Sequence, residues 1–240
     1  MTTDILFTDG TWTRPNARSA VAEAFRHAVD GRRFRFVYVD YPGSYGPATG
    51  FADVSLEESV RRGVQALAAA VTASPNRAVV DGYSQGAMVA VRFCRDILPQ
   101  RPDLIVDACA TLGDPHQPVH VGRAGIAGPV SISSTRRLAV YAPGDPIADL
   151  PLGSPLRSIA DMSRWMSVRS PEAGERWARE TLAAVPTRLQ RWWEPWRWPD
   201  LASAGMYADA YLNGTAHGLD YVTGGHAQRL ARLIERQVPA

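Results

Sequence analysis

Apolar and polar positions along the chain follow two spacings, one typical of strands and one typical of helices. Short runs rich in β-branched and aromatic residues predict five strands. These strands fall at residues 5–8, 35–39, 78–80, 104–112 and 138–142. Apolar residues spaced three or four apart predict helices over 20–29, 56–71 and 87–98. Residues 116–135 are predicted to be a loop. Alternating strands and helices are typical of an α/β fold with a mostly parallel sheet covered on both faces.

The alternation stops near residue 149. Residues 150–213 hold six of the seven tryptophans and no obvious strand. Helices separated by proline and glycine are predicted there over 156–168, 171–185, 187–193 and 201–212. A glycine-flanked loop and a helix over 225–237 close the chain. We therefore predict one domain formed by residues 1–149 and 214–240, with a tryptophan-rich helical insertion at 150–213.

Composition and charge exclude several classes of function. A formal net charge of +2 over 240 residues, with no basic stripe, argues against a nucleic-acid partner. No apolar run approaches about 18 residues, so no transmembrane helix is predicted. The first residues lack the basic and apolar regions of a signal peptide, so we expect synthesis in the cytoplasm. Cys94 and Cys109 lie in apolar stretches and are predicted to be buried, reduced thiols.

A pentapeptide after the third predicted strand carries the strongest chemical signal. Residues 82–86 read Gly-Tyr-Ser-Gln-Gly and fit the pattern G-x-S-x-G. With a strand before it and a helix after it, this pattern is typical of a nucleophile elbow. Such a turn lifts the Oγ of Ser84 above the sheet edge, and the helix N-terminus faces developing negative charge. Ser84 is therefore the predicted nucleophile.

A serine nucleophile needs an imidazole base and a carboxylate that orients this base. In α/β-hydrolases the chain order is serine, acid, histidine. Asp145 is favoured as the acid because it follows the last clear strand in a Gly-Asp-Pro turn, and Asp114, in a similar turn one strand earlier, stays open as the alternative. For Asp149 a capping or surface role is expected. His217, in the loop before the final helix, is favoured as the base over His226, for which a structural role is expected.

The tetrahedral intermediate of such a reaction carries an oxyanion that needs two preorganised donors. The backbone N–H of Gln85, directly after the nucleophile, is the first predicted donor. The turn after the first strand usually supplies the second, so the backbone N–H of Thr11 is the candidate. Its hydroxyl could add a third. This chemistry requires no metal ion and no organic cofactor.

These motifs resemble those of the cutinase-like α/β-hydrolases. Within that group they resemble the lysin B family, the mycolylarabinogalactan esterases of phages that infect mycobacteria and their relatives. The elbow is similar, including its glutamine, and so are the Gly-Thr turn at Thr11, the turn at Asp145 and the loop with His217 and Tyr221. Asp9 departs from the pattern, because many relatives carry histidine before the Gly-Thr turn.

The resemblance implies a serine esterase that cleaves the ester between mycolic acids and arabinogalactan in the host cell envelope. It implies action on that envelope after release at lysis, with a mycolylated cell-wall glycolipid as the partner. A long acyl chain needs apolar surface, and Trp196 and Trp198 are the predicted substrate-binding residues because Trp and Arg together suit a wet–apolar boundary. Two alternatives stay open: a general cutinase-like carboxylesterase on shorter esters, and a non-catalytic cell-wall lipid-binding protein.

Overall fold

A five-stranded parallel sheet forms the centre of the molecule. The structure, a computed structural model, describes residues 2–13, 17–188, 194, 199, 204–207, 209 and 215–239. The strands are β1 (Thr3–Thr8), β2 (Phe34–Tyr38), β3 (Ala78–Tyr83), β4 (Val106–Leu112), β5 (Arg123–Ala124), β6 (Arg136–Val140) and β7 (Leu150–Pro151). The central sheet has the order β2-β1-β3-β4-β6, and β5 pairs with β7 in a separate antiparallel ribbon.

The strand order places a crevice at one edge of this sheet. After β1 the chain adds β2 on one side, and it then returns to add β3 on the other side of β1. Ligands of open α/β sheets bind at such switch points, beyond the carboxyl ends of the strands. Thr8 lies opposite Gly82, and Gly82 lies opposite Thr111, so β1, β3 and β4 end level with one another. Residues that directly follow these three strands therefore meet at the same edge.

Helices cover both faces of the sheet. They are α1 (Ala20–Ala28), α2 (Leu56–Ala73), α3 (Gln85–Arg92), α4 (Leu156–Ser163), α5 (Pro171–Arg188), α6 (Leu219–Thr223) and α7 (His226–Gln237). Helix α1 and helix α7 pack on one core cluster, while α2 and α3 pack on another across the sheet. The sheet and its two helical layers confirm the predicted α/β class. Among the described helices, none is both long enough and apolar enough to cross a membrane.

Local chemistry explains where several helices begin. Ser55 caps α2, because its side chain accepts the N–H of Glu58. Helix α3 begins at Gln85, two residues earlier than predicted, and continues as a π turn (Phe93–Ile97) and a 3-10 turn (Leu98–Gln100). Cys94 and Cys109 are free thiols buried in the same core cluster, as predicted.

The ribbon of β5 and β7 corrects two predictions. The first strand lies in the stretch predicted to be loop, and the second lies where no strand was predicted. Strands of two residues are too short to show a periodic pattern of apolar residues. The pair is held together by the side chain of Arg157, which lies outside both strands. The buried guanidinium of Arg157 donates to the carbonyls of Ala124, Gly125, Leu150 and Pro151 at 2.6–3.0 Å. Burial lowers the pKa of Arg157 to about 10.

Helix boundaries in the predicted insertion also differ from expectation. Helix α4 ends at Ser163 rather than at 168, because the carbonyl of Arg164 accepts the N–H of Glu57 (3.0 Å) at the start of α2. Helix α5 continues to Arg188 without the predicted break after 185. Most of the predicted helices over 187–193 and 201–212 lie outside the described residues. The five-residue helix α6, which begins two residues after His217, was not predicted.

Candidate active site

Ser84 lies on a sharp turn between β3 and α3. Its φ of 55° is in the left-handed region that non-glycine residues rarely adopt, and such strain concentrates at functional sites. A Cβ atom on Gly82 would lie 2.3 Å from the carbonyl carbon of Gly86, and one on Gly86 would lie 1.9 Å from the carbonyl oxygen of Thr8. Both positions therefore require glycine. The N–H of Ser84 donates to the carbonyl of Leu112 (3.0 Å), which fixes the turn against β4.

His217 and Asp145 extend a hydrogen-bonded chain from this serine. The Nε2 atom of His217 lies 2.8 Å from the Oγ of Ser84. Its Nδ1 atom lies 2.9 and 3.0 Å from the two carboxylate oxygens of Asp145, which is fully buried. A carboxylate can only accept from Nδ1–H, so the lone pair of Nε2 faces the serine hydroxyl. The structure thus brings together three residues that are 61 or more positions apart, in the arrangement of nucleophile, base and orienting acid.

Two tyrosines hold the histidine loop and the acid. Tyr221, on α6, donates to a carboxylate oxygen of Asp145 (2.5 Å) and accepts the N–H of Ala142 (3.2 Å). Burial, reinforced by the charge of Asp145, raises the pKa of Tyr221 well above its usual value, so its hydroxyl remains a donor. Tyr83 donates to the carbonyl of His217, and its ring stacks on the imidazole with centroids 5.3 Å apart. Sequence reasoning missed Tyr83, and the only signal is an aromatic residue before the elbow serine.

The alternative acid and the alternative base have other partners. Asp114 accepts from Arg137 (2.5 Å) and from the N–H of His116 (2.7 Å), and it is fully buried. Its carboxylate therefore stabilises the loop after β4. His226 is the first residue of α7, and burial lowers its pKa. Neither residue belongs to the hydrogen-bonded chain that starts at Ser84.

Asp149 is buried rather than at the surface, which corrects the expected surface role. One carboxylate oxygen accepts the N–H of Gly144 (2.7 Å), next to Asp145. The other lies 2.8 Å from the Nε2 of His120 and 2.6 Å from the Nε of Arg123. Asp149 therefore joins the turn that carries Asp145 to the segment around β5. Sequence reasoning missed this function because the two side chains that Asp149 binds are 26 and 29 positions away.

The residues that carry the two predicted oxyanion donors, Thr11 and Gln85, are joined through their side chains beside Ser84. The amide nitrogen of the Gln85 side chain donates to the hydroxyl of Thr11 (3.2 Å) and to the carbonyl of Ser44 (3.0 Å). Its amide oxygen accepts from Ser59 of α2 (2.8 Å). This network ties the turn after β1 to the first residue of α3. The Thr11 hydroxyl accepts one of these bonds and keeps its own proton to donate.

Asp9, the departure from the family pattern, orders that same turn. Its carboxylate accepts the N–H of Gly10 (2.8 Å) together with the N–H (2.8 Å) and the hydroxyl (2.7 Å) of Ser19. Ser19 also caps α1 through its side chain. Three donors thus fix the carboxylate of Asp9, two residues before Thr11. An aspartate can therefore support this turn by hydrogen bonds to the start of α1.

A mostly apolar cavity of about 360 Å³ opens beside Ser84 and is the size of a small-molecule site. Its apolar wall comes from α3, from the loop after β5, from the turn after Asp145 and from α4. Representative lining residues are Met88, Ile126, Ile147 and Leu156. A polar part of the wall is an ion-pair cluster, in which Glu57 lies 2.6 Å from both Arg92 and Arg164.

The predicted substrate-binding residues Trp196 and Trp198 lie outside the described residues. Trp165 and Trp177, which are described, belong to the packing around α4 and α5. The indole N–H of Trp177 donates to the carbonyl of Met162 (3.0 Å), and the guanidinium of Arg176 lies over the ring of Trp165. Within the described part of the chain, no tryptophan lines the cavity.

The parallel sheet, the serine on a strained strand-to-helix turn and the later acid and histidine define the α/β-hydrolase fold of the cutinase-like type. Within this class the chain is similar to lysin B from Mycobacteriophage D29. The two chains are 18% identical with a TM-score of 0.61, and the match covers 97% of this chain and 98% of the phage protein. At this level of identity the likeness establishes the fold, and the reaction has to be inferred from the site.

Other comparisons are more distant or shorter. The catalytic core domain of acetyl xylan esterase from Trichoderma reesei is 18% identical with a TM-score of 0.49, covering 78% of this chain and 98% of that one. A cutinase-like protein from Cryptococcus sp. is 16% identical with a TM-score of 0.39, covering 77% and 94%. The PE-PPE domain family matches residues 34–134. A sequence comparison with curated proteins finds no match.

Proposed function

We propose that this chain is a serine esterase. The observation that carries the proposal is the hydrogen-bonded chain from Ser84 through His217 to Asp145, with the serine opening onto an apolar cavity. A serine hydroxyl is a weak nucleophile at neutral pH, and an imidazole 2.8 Å away supplies the base that it needs. The fully buried carboxylate then stabilises the charged imidazolium without taking its proton.

The reaction proceeds in two steps. The Oγ of Ser84 adds to the ester carbonyl carbon while its proton passes to the Nε2 of His217. The backbone N–H groups of Gln85 and Thr11 hold the resulting oxyanion. His217 returns the proton to the alcohol oxygen as the carbon–oxygen bond breaks, leaving an acyl-enzyme. A water molecule, deprotonated by His217, then attacks this ester, and Ser84 leaves as the free hydroxyl.

Within the serine esterases, we propose the ester between mycolic acids and arabinogalactan as the substrate. A cavity with mostly apolar walls beside the nucleophile suits an acyl chain. The likeness in fold to a phage lysin B extends over 97% of this chain. On this proposal the enzyme acts on the host cell envelope after lysis releases it. Trp196 and Trp198 remain proposed contributors to acyl binding.

The direct test is release of free mycolic acid from purified mycolylarabinogalactan. We expect release by the parent and none by Ser84→Ala. His217→Gln should be nearly inactive, whereas His27→Gln, which changes an exposed histidine on α1, serves as its matched control and should retain full activity. Asp145→Asn should lower kcat by about 10⁴-fold, as expected when the acid that sets the histidine tautomer is lost.

Other results would redirect or overturn the proposal. Cleavage of short nitrophenyl esters in a Ser84-dependent way, without mycolate release, would favour the general cutinase-like carboxylesterase. Failure to cleave any ester, together with no labelling of Ser84 by a fluorophosphonate, would overturn the esterase proposal. That outcome would favour a non-catalytic lipid-binding protein.

A further inference from the structure

A strained valine occupies a two-residue turn near the cavity. The N–H of His120 donates to the carbonyl of Arg123 and the N–H of Arg123 donates to the carbonyl of His120, both at 2.9 Å. The two central residues, Val121 and Gly122, have φ values of 45° and 73°. Positive φ at both positions is typical of a type I′ turn, where Asn or Gly is strongly preferred first. A β-branched residue in this conformation is an outlier.

Among the described residues, none compensates this strain by burying the valine. Val121 is 96% exposed. Val119, two residues earlier, is 54% exposed, and Leu152 is 42% exposed. The N–H of Leu152 donates to the carbonyl of Gly122 (3.0 Å), so this leucine adjoins the turn. We call Val119, Val121 and Leu152 the aliphatic tip.

The residues that flank the aliphatic tip are held by one buried carboxylate. His120 and Arg123, on either side of the central residues, both contact the carboxylate of Asp149. The ring of His120 also packs on Tyr141, with centroids 4.4 Å apart. The negative charge of Asp149 neutralises the positive charge of the Arg123 guanidinium. The turn therefore presents aliphatic side chains above charged groups that are paired with one another.

The aliphatic tip stands beside the cavity that opens at Ser84. Pro115 and His116, before the turn, and Ile126, after it, all line this cavity. Arg123 also donates to the hydroxyl of Tyr207 (2.7 Å), which lines the cavity as well. The two arms of the segment that carries the turn are thus part of the cavity wall.

We propose that the aliphatic tip enters the apolar part of a lipid layer and holds the cavity against that layer. Small aliphatic side chains are under-represented among the residues that dominate protein–protein binding, whereas exposed apolar groups on a rigid edge suit a lipid surface. Internally paired charges suit a neutral layer. Binding to a lipid layer goes beyond ester hydrolysis. It rests on the proposed function only in that the ester to be cleaved is taken to lie in that layer.

The test uses one substitution that should stabilise the fold and weaken lipid binding. In a Ser84→Ala background, Val121→Asn places a preferred residue in the turn, and we expect Tm to rise by about 2–4 °C. Sedimentation with vesicles of neutral phosphatidylcholine should show that the variant binds about 10-fold or more weakly than its Ser84→Ala parent. This is the loss expected when a valine side chain that would be buried in the lipid is removed. Val121→Gly, which also relieves the turn, should show the same loss of affinity.

A matched control comes from the opposite edge of the sheet. Ile105, directly before β4, is 55% exposed, and Ile105→Asn should leave vesicle affinity unchanged. With Ser84 intact, Val121→Asn should retain kcat/KM on a soluble short ester and lose hydrolysis of a long-chain ester held in vesicles.

Three results would overturn the proposal. The parent could fail to bind vesicles, or Val121→Asn could raise Tm while binding vesicles as the parent does. Alternatively, Val121→Asn could reduce hydrolysis of the soluble ester as much as hydrolysis of the ester held in vesicles. That result would mean that the turn affects catalysis through Asp149, which binds the turn carrying Asp145. In each case Ser84-dependent cleavage of soluble esters would still stand, so failure of this inference is distinguishable from failure of the proposed function.

Discussion

Asp81 is a buried carboxyl in the strand that leads to Ser84. It is fully buried in β3, level with Phe7 and Ala110 on the neighbouring strands. Within the described part of the chain, neither carboxylate oxygen has a hydrogen-bond partner of ordinary geometry. Burial raises the pKa of Asp81 well above 3.8, and the adjacent N–H of Gly82 offsets this only in part. We therefore expect the folded protein to hold Asp81 protonated well above pH 4.

This raised pKa predicts the sign of a pH effect on stability. Between the unfolded pKa, near 3.9, and the higher folded pKa, the folded state binds one proton more than the unfolded chain. The contribution of Asp81 to stability is complete below pH 4 and is lost as the pH rises towards the folded pKa. The loss amounts to about 1.4 kcal/mol of unfolding free energy per pH unit. Asp81→Asn keeps the size of the side chain and removes the titration.

We expect Asp81→Asn to match the parent near pH 4 and to exceed its stability by a growing margin at higher pH. The measurement is urea unfolding at half-unit steps from pH 4 to 8, with the parent subtracted from the variant at each pH. Subtraction cancels other groups such as His116, whose pKa burial lowers to about 4 and whose contribution has the opposite slope. Asp103→Asn, at an exposed aspartate, is the matched control and should give a flat difference above pH 5.

A flat difference for Asp81→Asn would refute the reasoning, because it would mean that Asp81 titrates alike in the folded and unfolded states. A parent more stable than the variant at pH 7 would refute it more strongly. That result would require an ionised and well-paired carboxylate in the folded protein.

Three further substitutions test how the site is supported. Arg157→Met removes the donor from four buried carbonyls, so urea unfolding should show a loss of about 3 kcal/mol or more, with partial recovery in Arg157→Lys. Tyr221→Phe removes a hydrogen bond to the buried acid, and kcat on a short nitrophenyl ester should fall about 10-fold, while an unchanged kcat would contradict the positioning role. Gly86→Ala places a Cβ 1.9 Å from the carbonyl of Thr8 and should yield no folded protein by circular dichroism. Gly31→Ala, where a Cβ meets nothing within 4 Å, should fold normally.

Local patterns were sufficient for the framework of the fold. The five central strands were predicted from runs of apolar, β-branched and aromatic residues. In the inner strands β1, β3 and β4 these runs are buried on both faces, and burial of that kind leaves a signal in consecutive residues. The N-cap of α2 is likewise a local feature, because Ser55 and Glu58, which share its hydrogen bond, lie within one helical turn. The short strands β5 and β7 left no such signal.

Candidate site residues differed in how far a local pattern could identify them. Ser84 was identified from five consecutive residues, whose glycines are required by contacts at 2.3 and 1.9 Å. Asp145 and Asp114 occupy similar Gly-Asp-Pro turns, so no local feature distinguishes them. Their difference is in their partners, because His217 reaches one and Arg137 reaches the other.

The sequence by itself determined the order of the five central strands and of the helices between them, the strained elbow and the set of candidate acids and bases, because each depends on neighbours in the chain. Only the tertiary structure decided which carboxylate meets His217, that Asp149 supports the acid turn and that Arg157 joins β5 to β7. It also decided that an exposed valine stands beside the cavity. These features depend on side chains that are distant in sequence and meet only when the sheet and its loops have packed, so no periodicity or motif encodes them.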